Sequence, residues 1–277
     1  MKNLNDFGIN IQSNTFIIAE IGINHNGNID LAKKLIDSAS KTGCDAVKFQ
    51  TYITEKRAPK GNDKVFNILK KCELPFEAFL ELKNYSEKKN LIFFSTPFDN
   101  ESVDYLESIN VPMYKIASFD VSNENFLKKI SLTKKPILLS VGMANLDEVK
   151  RACEILLKEN NFLSILHCIS SYPLEEINAN LNSIKELEKN FSNCLIGYSD
   201  HTNSIKVPIY AAVMGARIIE KHYMINSEME CVDSPVSITE VLMKEMVKEI
   251  RNIDLIKGEE RVSLEESEKP SLIFKRI

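Results

Sequence analysis

The chain has 277 residues, of which 44% are apolar and 27% charged, and this ordinary globular composition excludes a disordered or collagen-like protein. Its 35 basic and 39 acidic residues give a net charge of −4, which is a poor basis for general nucleic-acid binding. No apolar run reaches the ~18 residues of a membrane span, and residues 1–14 lack the apolar core of a signal peptide. We therefore expect a cytoplasmic protein with reduced cysteines.

Short apolar, β-branched runs recur eight times along the chain, and segments with helical spacing lie between them. This alternation predicts parallel strands joined by crossover helices. One predicted helix begins with an Asn cap followed three residues later by Glu148, a capping-box pattern. The predicted strands are Phe16–Gly22, Ala46–Thr51, Leu91–Thr96, Met113–Ser118, Ile137–Gly142, Leu163–Cys168, Cys194–Ser199 and Arg217–His222. The predicted helices are Ile29–Thr42, Pro75–Lys89, Asn145–Lys158, Ser204–Met214 and Thr239–Ile256.

Eight strand–helix repeats in a chain of this length favour a closed (β/α)8 TIM barrel, which uses roughly 250 residues as one domain. The sequence has neither a G-x-G-x-x-G motif nor a P-loop, so nucleotide-binding folds lack their usual fingerprints. We assign residues 1–258 to the barrel. Residues 259–277 are first polar and then apolar and fit no barrel element, so we expect them to form a tail or linker.

Polar side chains gather at the predicted C-terminal ends of the strands, where a barrel of this type builds its active site. Lys48 and Lys115 lie inside apolar runs, and a lysine is almost never buried without a partner. Each therefore needs either a carboxylate, such as Glu20 or Glu220, or an anionic ligand. The hydroxyls at the strand ends either bond backbone groups or help to bind a phosphate or carboxylate; they belong to Ser95, Thr96, Ser118, Ser140 and Ser199.

The placement of the histidines also indicates a site at this end of the barrel. A histidine beside an apolar strand is more often a structural residue than a ligand. All four histidines of the chain nevertheless fall at or just after a predicted strand end, which favours a common site. They are His25, His167, His201 and His222.

Seven motifs, in chain order, resemble the sialic acid synthase family. The longest covers residues 17–51 (IIAEIGINHNGNIDLAKKLIDSASKTGCDAVKFQT), and the others are FFSTPFD, YKIAS, LLSVGMA, LHCISSYP, IGYSDHT and ARIIEKHY. The resemblance extends from about residue 15 to residue 275. It implies a TIM barrel that condenses phosphoenolpyruvate with an N-acylated hexosamine such as N-acetylmannosamine. The products would be a nine-carbon 2-keto acid and phosphate.

The resemblance implies roles for individual residues. His201 and His222 match the family's ligands for a divalent metal, usually Mn²⁺, with Mg²⁺ or Co²⁺ as alternatives. Both histidines join Glu20, Lys48 and Lys115 in the implied catalytic set, in which Glu20 is the carboxylate. The implied contacts to phosphoenolpyruvate are Lys48, Thr96, Lys115, Ser118, Ser140 and Ser199. The residues implied to lie near the sugar are Gln50, Tyr172, Glu220 and Asp233.

The implied reaction gives these residue types a physical reason. Two lysines offset the charge of phosphoenolpyruvate while hydroxyls orient it. A metal held by two neutral imidazoles, with open positions, polarises the sugar aldehyde as a Lewis acid. Glu20 either stabilises the cationic centre at carbon 2 or handles the proton of the water that adds there, and the sequence leaves both roles open.

The acceptor is less well defined than the reaction. Asp120, Ser170 and residues 230–232 depart from the family's pattern on the sugar side. N-acetylmannosamine and a diacetamido-trideoxyhexose therefore both stay as candidate acceptors. Two further interpretations are open: another phosphoenolpyruvate-dependent 3-deoxy sugar-acid synthase, or a catalytically impaired barrel that acts as a sugar-binding or assembly subunit.

The family usually continues past a linker resembling SEKPSLIFKRI into a small antifreeze-like domain, which caps the sugar site of the neighbouring subunit. This sequence stops at Ile277, so we expect the cap to be missing, the family's homodimer to be weakened and turnover to be slow. Otherwise a loop within residues 51–74 or 223–235 does the work of the cap. We expect neither nucleic acid nor membrane among the partners.

Overall fold

Eight parallel strands form a closed barrel in chain order, and the last strand pairs with the first. The computed structural model describes residues 4–7, 9–10, 13–159, 162–259 and 261–276. The predicted (β/α)8 barrel is thus confirmed. The strands are β1 (Phe16–Gly22), β2 (Ala46–Thr51), β3 (Ile92–Pro97), β4 (Tyr114–Ile116), β5 (Ile137–Ser140), β6 (Leu163–Cys168), β7 (Leu195–Asp200) and β8 (Ile218–His222).

Helices connect the strands, and several begin at an Asn, Asp or Thr whose side chain accepts from a backbone N–H of the first turn. The five predicted helices are present, and the predicted capping box at Asn145 and Glu148 is confirmed. The sequence did not predict the helices Thr54–Arg57, Asp63–Cys72, Asn100–Ser108, Glu124–Ser131 and Asn182–Asn190. The helices are α1 (Ile29–Ala39), α2 (Thr54–Arg57), α3 (Asp63–Cys72), α4 (Phe76–Lys88), α5 (Asn100–Ser108), α6 (Glu124–Ser131), α7 (Leu146–Leu157), α8 (Asn182–Asn190), α9 (Lys206–Val213) and α10 (Glu240–Ile256).

Successive side chains of each strand alternate between the inside of the barrel and the surrounding helices. In β1, Ile17 and Ile21 pack in the large core that also contains the buried faces of the helices. Ile18 belongs to a second, smaller cluster formed by the inward residues of other strands, including Phe94 and Leu138. This alternation decides which strand residues reach the interior of the barrel.

The barrel interior changes from apolar to polar along its axis. The smaller apolar cluster lies near the start of the strands, where Phe7 and Ile9 of the N-terminal segment pack against it. Two positions further along β1 and β2, the buried residues are Glu20 and Lys48. The polar layer therefore lies at the C-terminal ends of the strands, as predicted.

Two regions differ from the expected strand pattern or lie outside the barrel. Strand β4 ends at Ile116, before the predicted Ser118, because Ser118 starts a short 3₁₀ turn that runs to Asp120. Beyond α10, Glu266–Phe274 form a 3₁₀ segment whose side chains are exposed. The assignment of residues 259–277 to a linker stays a prediction. Among the described helices, none is long and apolar enough to cross a membrane.

Candidate active site

A cavity of about 430 Å³ opens among the C-terminal ends of the strands. Every residue to which the family resemblance assigned a role borders it, whereas Ser95, whose hydroxyl donates to the Phe49 backbone oxygen at 3.0 Å, does not. From the strands come Glu20, Lys48, Gln50, Thr96, Lys115, Ser140, Ser199, Glu220 and His222, and from the loops that follow the strands come Ser118, Tyr172, His201 and Asp233.

Lys48 forms a buried ion pair with Glu20 because the register of β1 and β2 places the two residues side by side. The Lys48 Nζ lies 2.9 Å from the Glu20 Oε2 and donates to the Thr96 Oγ1 at 2.9 Å. Burial raises the pKa of Glu20, a shift that Lys48 opposes and the nearby Glu220 increases. The pair thus places a carboxyl that holds a proton more tightly than usual beside a lysine.

Lys115 is buried without a close carboxylate. Its Nζ donates to the Ser140 Oγ at 2.6 Å, whereas the nearest oxygen of Glu220 is 3.8 Å away. Lys48 lies at the same 3.8 Å distance from the other Glu220 oxygen. Burial lowers the pKa of Lys115, with Glu220 opposing the shift. Two lysines therefore flank one carboxylate that satisfies neither of them fully.

Glu220 stays ionised between these lysines. Ser199, its register partner on β7, donates to the Glu220 Oε1 at 3.0 Å. Burial alone would raise the pKa of Glu220, but the charges of Lys115 and Lys48 hold it below its ordinary value. The second oxygen of Glu220 has no hydrogen-bond partner in the described part of the chain. This oxygen is therefore free to accept a hydrogen bond from a ligand.

Gly22 lets three polar side chains meet at the end of β1. It has a φ of +56°, which favours glycine. A Cβ at this position would lie 3.1 Å from the Glu20 Oε1, 3.2 Å from the Gln50 Nε2 and 3.4 Å from the Asp233 Oδ2. The Gln50 amide also donates to the Glu20 Oε1 at 3.1 Å. A larger residue at position 22 would thus separate groups on the two sides of the site.

Ser118 and the loop after β5 form another close contact. The Gly142 backbone N–H donates to the Ser118 Oγ at 2.9 Å. A Cβ on Gly142 would lie only 2.5 Å from the Ser170 Oγ and 3.0 Å from the Ser118 Oγ. Glycine is therefore required where the two serine hydroxyls converge beside the cavity.

His201 and His222 are adjacent, with ring centroids 5.5 Å apart. His201 Nδ1 lies 2.8 Å from the backbone oxygen of Ile169, which as an acceptor orients the ring and leaves Nε2 free. His222 Nδ1 is buried, lacks a hydrogen-bond partner in the described residues and faces the Asp233 Oδ2 at 3.4 Å. Burial lowers the pKa of both histidines, so both rings are neutral near pH 7.

The two rings fit a divalent metal with open coordination positions. A metal–nitrogen bond of about 2 Å places the metal about 3 Å from each ring centre, so a 5.5 Å separation of the rings can be bridged. Within the described ranges, no cluster of three or more His, Cys, Asp and Glu side chains could hold a metal alone. His201 and His222 would therefore be two protein ligands of such a metal, and its other ligands would have to come from reactants or water.

The other two histidines do not border the cavity. His167 has the same parity on β6 as Ile165, which faces the helices, and its Nε2 lies 2.8 Å from the Ala179 backbone oxygen. His25 accepts a 3.1 Å hydrogen bond from the Gly27 N–H. The strand-end placement of the four histidines thus brings His201 and His222 to the cavity, whereas His25 and His167 lie outside its lining.

Arg57, at the end of α2, also borders the cavity, and the sequence analysis missed it. Its Nη2 donates to the Gln50 Oε1 at 2.7 Å, which extends the polar chain from Lys48 through Glu20 and Gln50. It ends a four-residue helix outside the strand pattern, so no periodicity in the sequence pointed to it. The cavity also has an apolar part that was not predicted, bordered by Ile23, Val65, Ile68, Leu69, Phe98, Phe119 and Val232.

The fold and the site together define a TIM barrel whose strand ends bring buried lysines, carboxyl groups and two neighbouring histidines to one cavity. The sequence profile of the NeuB family matches residues 35–262. N,N'-diacetyllegionaminic acid synthase of Campylobacter jejuni is 37% identical over 261 residues, covering 88% of this chain and 78% of that protein. Pseudaminic acid synthase of the same organism is 33% identical over 281 residues, covering 96% and 82%.

The similarity extends to a solved structure. The N-acetylneuraminic acid (sialic acid) synthetase of Leptospira borgpetersenii superposes with a TM-score of 0.91 at 37% identity, covering 95% of this chain and 92% of that one. The chain belongs to the NeuB family. The family expected from the sequence motifs is thus confirmed.

Proposed function

We propose that this protein condenses phosphoenolpyruvate with an N-acylated hexosamine to give a nonulosonic acid and phosphate. The observation that carries the proposal is Lys115, which is buried at the end of the barrel with no carboxylate oxygen nearer than 3.8 Å. Lys48 flanks the same Glu220 carboxylate at 3.8 Å and pairs with Glu20 at 2.9 Å, and three nearby hydroxyls are oriented toward charged groups. Phosphoenolpyruvate, which carries a phosphate and a carboxylate, supplies the close counterion that Lys115 lacks.

The hydroxyls of the cavity orient the anion while the lysines offset its charge. Thr96 and Ser140 already accept hydrogen bonds from Lys48 and Lys115, so each hydroxyl proton is free to point toward a phosphate or carboxylate oxygen. Ser118 accepts from a backbone N–H and can donate in the same way. Preorganised donors of this kind hold carbon 3 of phosphoenolpyruvate in one position for attack on the sugar aldehyde.

Glu20 is the proposed proton-handling group. Its pKa is raised by burial, and a carboxyl with a raised pKa is suited to accept and return a proton near neutral pH. After carbon–carbon bond formation, carbon 2 is electron-poor and water must add to it. Glu20 takes one proton of that water and returns it to the phosphate, which leaves by cleavage of its bond to carbon 2. The second proton passes from the new carbon 2 hydroxyl to the alkoxide that the aldehyde became, so that carbon 2 ends as the keto group.

His201 and His222 are the proposed ligands of a divalent metal, with Mn²⁺ as the first candidate and Mg²⁺ or Co²⁺ as alternatives. When bound, such a metal would supply Lewis-acid polarisation of the aldehyde oxygen. Tyr172 packs on His201 with ring centroids 4.0 Å apart and fixes the plane of that imidazole. Asp233 faces the second imidazole at 3.4 Å and contributes an acceptor for a sugar hydroxyl.

Two further proposals follow from the sequence. A homodimer is proposed from the family resemblance. A cytoplasmic location is supported by the six cysteines, all of which are free thiols in the structure, as is usual in reducing compartments.

Phosphate release tests the proposed function. The protein, phosphoenolpyruvate and Mn²⁺ are incubated with N-acetylmannosamine or a 2,4-diacetamido-2,4,6-trideoxyhexose, and we expect phosphate together with a 2-keto acid. Glu20→Gln should abolish both products while leaving phosphoenolpyruvate binding in calorimetry. Release with arabinose 5-phosphate or erythrose 4-phosphate, and with no acylated hexosamine, would instead identify a different 3-deoxy sugar-acid synthase.

Chelation tests the metal proposal. We expect turnover to stop after chelation and to return with Mn²⁺, and His201→Ala or His222→Ala to remove Mn²⁺ binding in a calorimetric titration. Because the second measurement reads binding directly, it separates loss of the metal site from loss of the reaction. Undiminished turnover of the chelated wild type would contradict a metal role.

A further inference from the structure

The guanidinium of Arg57 is buried, and only part of it has hydrogen-bond partners among the described residues. Its guanidinium lies between two aromatic rings, 4.4 Å from the centroid of Tyr52 and 3.8 Å from that of Phe98. Nη2 donates to Gln50, but Nη1 is buried and has no hydrogen-bond partner among the described residues. A buried donor on a charged group is costly to leave unpaired, so this geometry points to an acceptor atom that a ligand supplies.

The side chains that line the cavity beside Arg57 are mostly apolar, unlike those at the lysine end, and the charge of Asp233 also acts on the guanidinium. Ile23, Tyr52 and Leu69 form a small cluster, against which Val65 and Phe98 pack. All of these except Tyr52 border the cavity, as does Ile68 of α3. Arg57 therefore presents the unused N–H groups of Nη1 beside aliphatic and aromatic walls, at the far end of the polar chain from Lys48.

A hydroxyl-rich sugar is a poor match for this wall, because hydroxyls placed against apolar side chains lose their hydrogen bonds to water. An acylamino group matches it better: the carbonyl oxygen accepts from the guanidinium while the methyl group packs on the wall. The methyl group of a 6-deoxy sugar suits the same surface. The guanidinium thus favours an acceptor with an amide carbonyl, and the apolar wall favours one with methyl groups.

We propose that Arg57 and the apolar wall made by Ile23, Val65, Leu69 and Phe98 form the subsite that sets acceptor specificity. Arg57 Nη1 donates to an amide carbonyl oxygen of the acceptor, and the wall contacts the acyl and deoxy methyl groups. The preferred acceptor is then a diacylamino-6-deoxyhexose over a hexosamine with hydroxyls at carbons 4 and 6. This inference rests on the proposed condensation and specifies its second substrate.

Steady-state kinetics with two acceptors test the subsite. The probes are a 2,4-diacetamido-2,4,6-trideoxyhexose and N-acetylmannosamine, at saturating phosphoenolpyruvate. For the wild type we expect kcat/KM to be at least about tenfold higher for the first, since one methyl contact in a pocket discriminates by about that factor or more. Arg57→Met should lower kcat/KM for the diacetamido sugar about tenfold to 100-fold, mainly through KM.

Three further measurements isolate the role of Arg57. The dissociation constant for phosphoenolpyruvate should stay within about twofold in Arg57→Met, and Arg57→Lys, which keeps the charge but loses the planar fork, should fall between wild type and Met. Val65→Thr adds a hydroxyl to the wall with little change of shape, and should reduce the preference between the two sugars. Arg151→Met, at an exposed arginine on α7, is the matched control and should change nothing.

The outcomes separate this inference from the proposed function. An unchanged acceptor KM in Arg57→Met, or an equal loss of phosphoenolpyruvate affinity, would overturn the subsite while leaving the condensation in place. A wild-type preference for N-acetylmannosamine would do the same. Absence of wild-type turnover with both sugars would refute the proposed condensation, and the subsite with it. If Arg57→Met melts more than a few degrees below the wild type, the acceptor kinetics of Arg57→Lys and Val65→Thr test the subsite in its place.

Discussion

Lys115 and Lys221 are both buried, yet they face opposite sides of the barrel wall. Lys115 points inward, where Ser140 at 2.6 Å is its closest side-chain partner and no carboxylate oxygen comes nearer than 3.8 Å. Lys221 lies between barrel and helices, pairs with Asp200 at 2.7 Å and donates to two backbone oxygens. Lys115 thus has no close counterion among the described residues, whereas Lys221 has one in Asp200.

Methionine at these two positions should therefore have opposite consequences. Lys115→Met should weaken phosphoenolpyruvate binding by about 2–5 kcal/mol because a buried charge partner of the ligand is lost, with little change in unfolding. Lys221→Met should instead cost about 3–5 kcal/mol of stability, since Asp200 stays buried without its cation. Calorimetry with phosphoenolpyruvate and urea denaturation distinguish the two effects. Early unfolding of Lys115→Met with normal binding would show a purely structural lysine.

Much of the site could be predicted from single residues because the strand ends and their parity determine it. Glu20, Lys48 and Glu220 lie two positions beyond inward apolar residues, so the alternation of each strand carries them into the cavity. The same alternation turns His167 outward, and parity could have excluded it. Arg57 follows no such rule, because it ends the short helix α2 and its position depends on contacts with Tyr52 and Phe98.

At the scale of elements, three of the helices that were not predicted bury only two apolar residues each, whereas α6 was missed although it buries three, Phe126, Leu127 and Ile130. Helix α8 buries only Ile184 and Leu187, and α5 buries Val103 and Leu106 with a serine. Two apolar positions do not establish a helical period, so packing against the barrel decides these segments. Helix α3 also buries only two residues, Leu69 and Cys72, and thus its contribution to the cavity wall was missed.

The capping box of α7 allows a prediction for one element. Asn145 accepts from the backbone N–H groups of Asp147 and Glu148, and the Glu148 side chain accepts from the Asn145 N–H. Asn145→Ala should lower the free energy of unfolding by about 1 kcal/mol. Asn145→Asp should retain most of the stabilisation by the cap, because aspartate is also a favoured N-cap residue. Urea denaturation measures both. Equal stability of the Ala variant would mean that water replaces the cap without cost.

At the scale of the whole molecule, the histidines make stability depend on pH. Burial lowers the pKa of all four, and that of His25 to about 4. The unfolded chain binds protons at its histidines below about pH 6.5 while the folded chain does not, so stability is complete above that pH and falls on acidification. For His25 the loss approaches its limit near pH 4.

Denaturation at two pH values tests this dependence. Between pH 7.5 and pH 5.0, His25 alone should account for a loss of about 2 kcal/mol in the free energy of unfolding. His25→Gln cannot take up that proton, so it should show a correspondingly smaller decrease over the same interval, whatever its stability at pH 7.5. A variant with the wild-type slope would show that His25 does not titrate during unfolding.

The register that pairs Glu20 with Lys48 and with His222 has a consequence for how the barrel closes. Side chains alternate with a period of two, so a slip of one residue between neighbouring strands would turn these polar groups toward the helices. There Glu20 would meet aliphatic side chains instead of Lys48, at the cost of a buried, unmatched charge. Misregistered closure is thereby penalised, and the residues proposed to handle the reactants also enforce fidelity in folding.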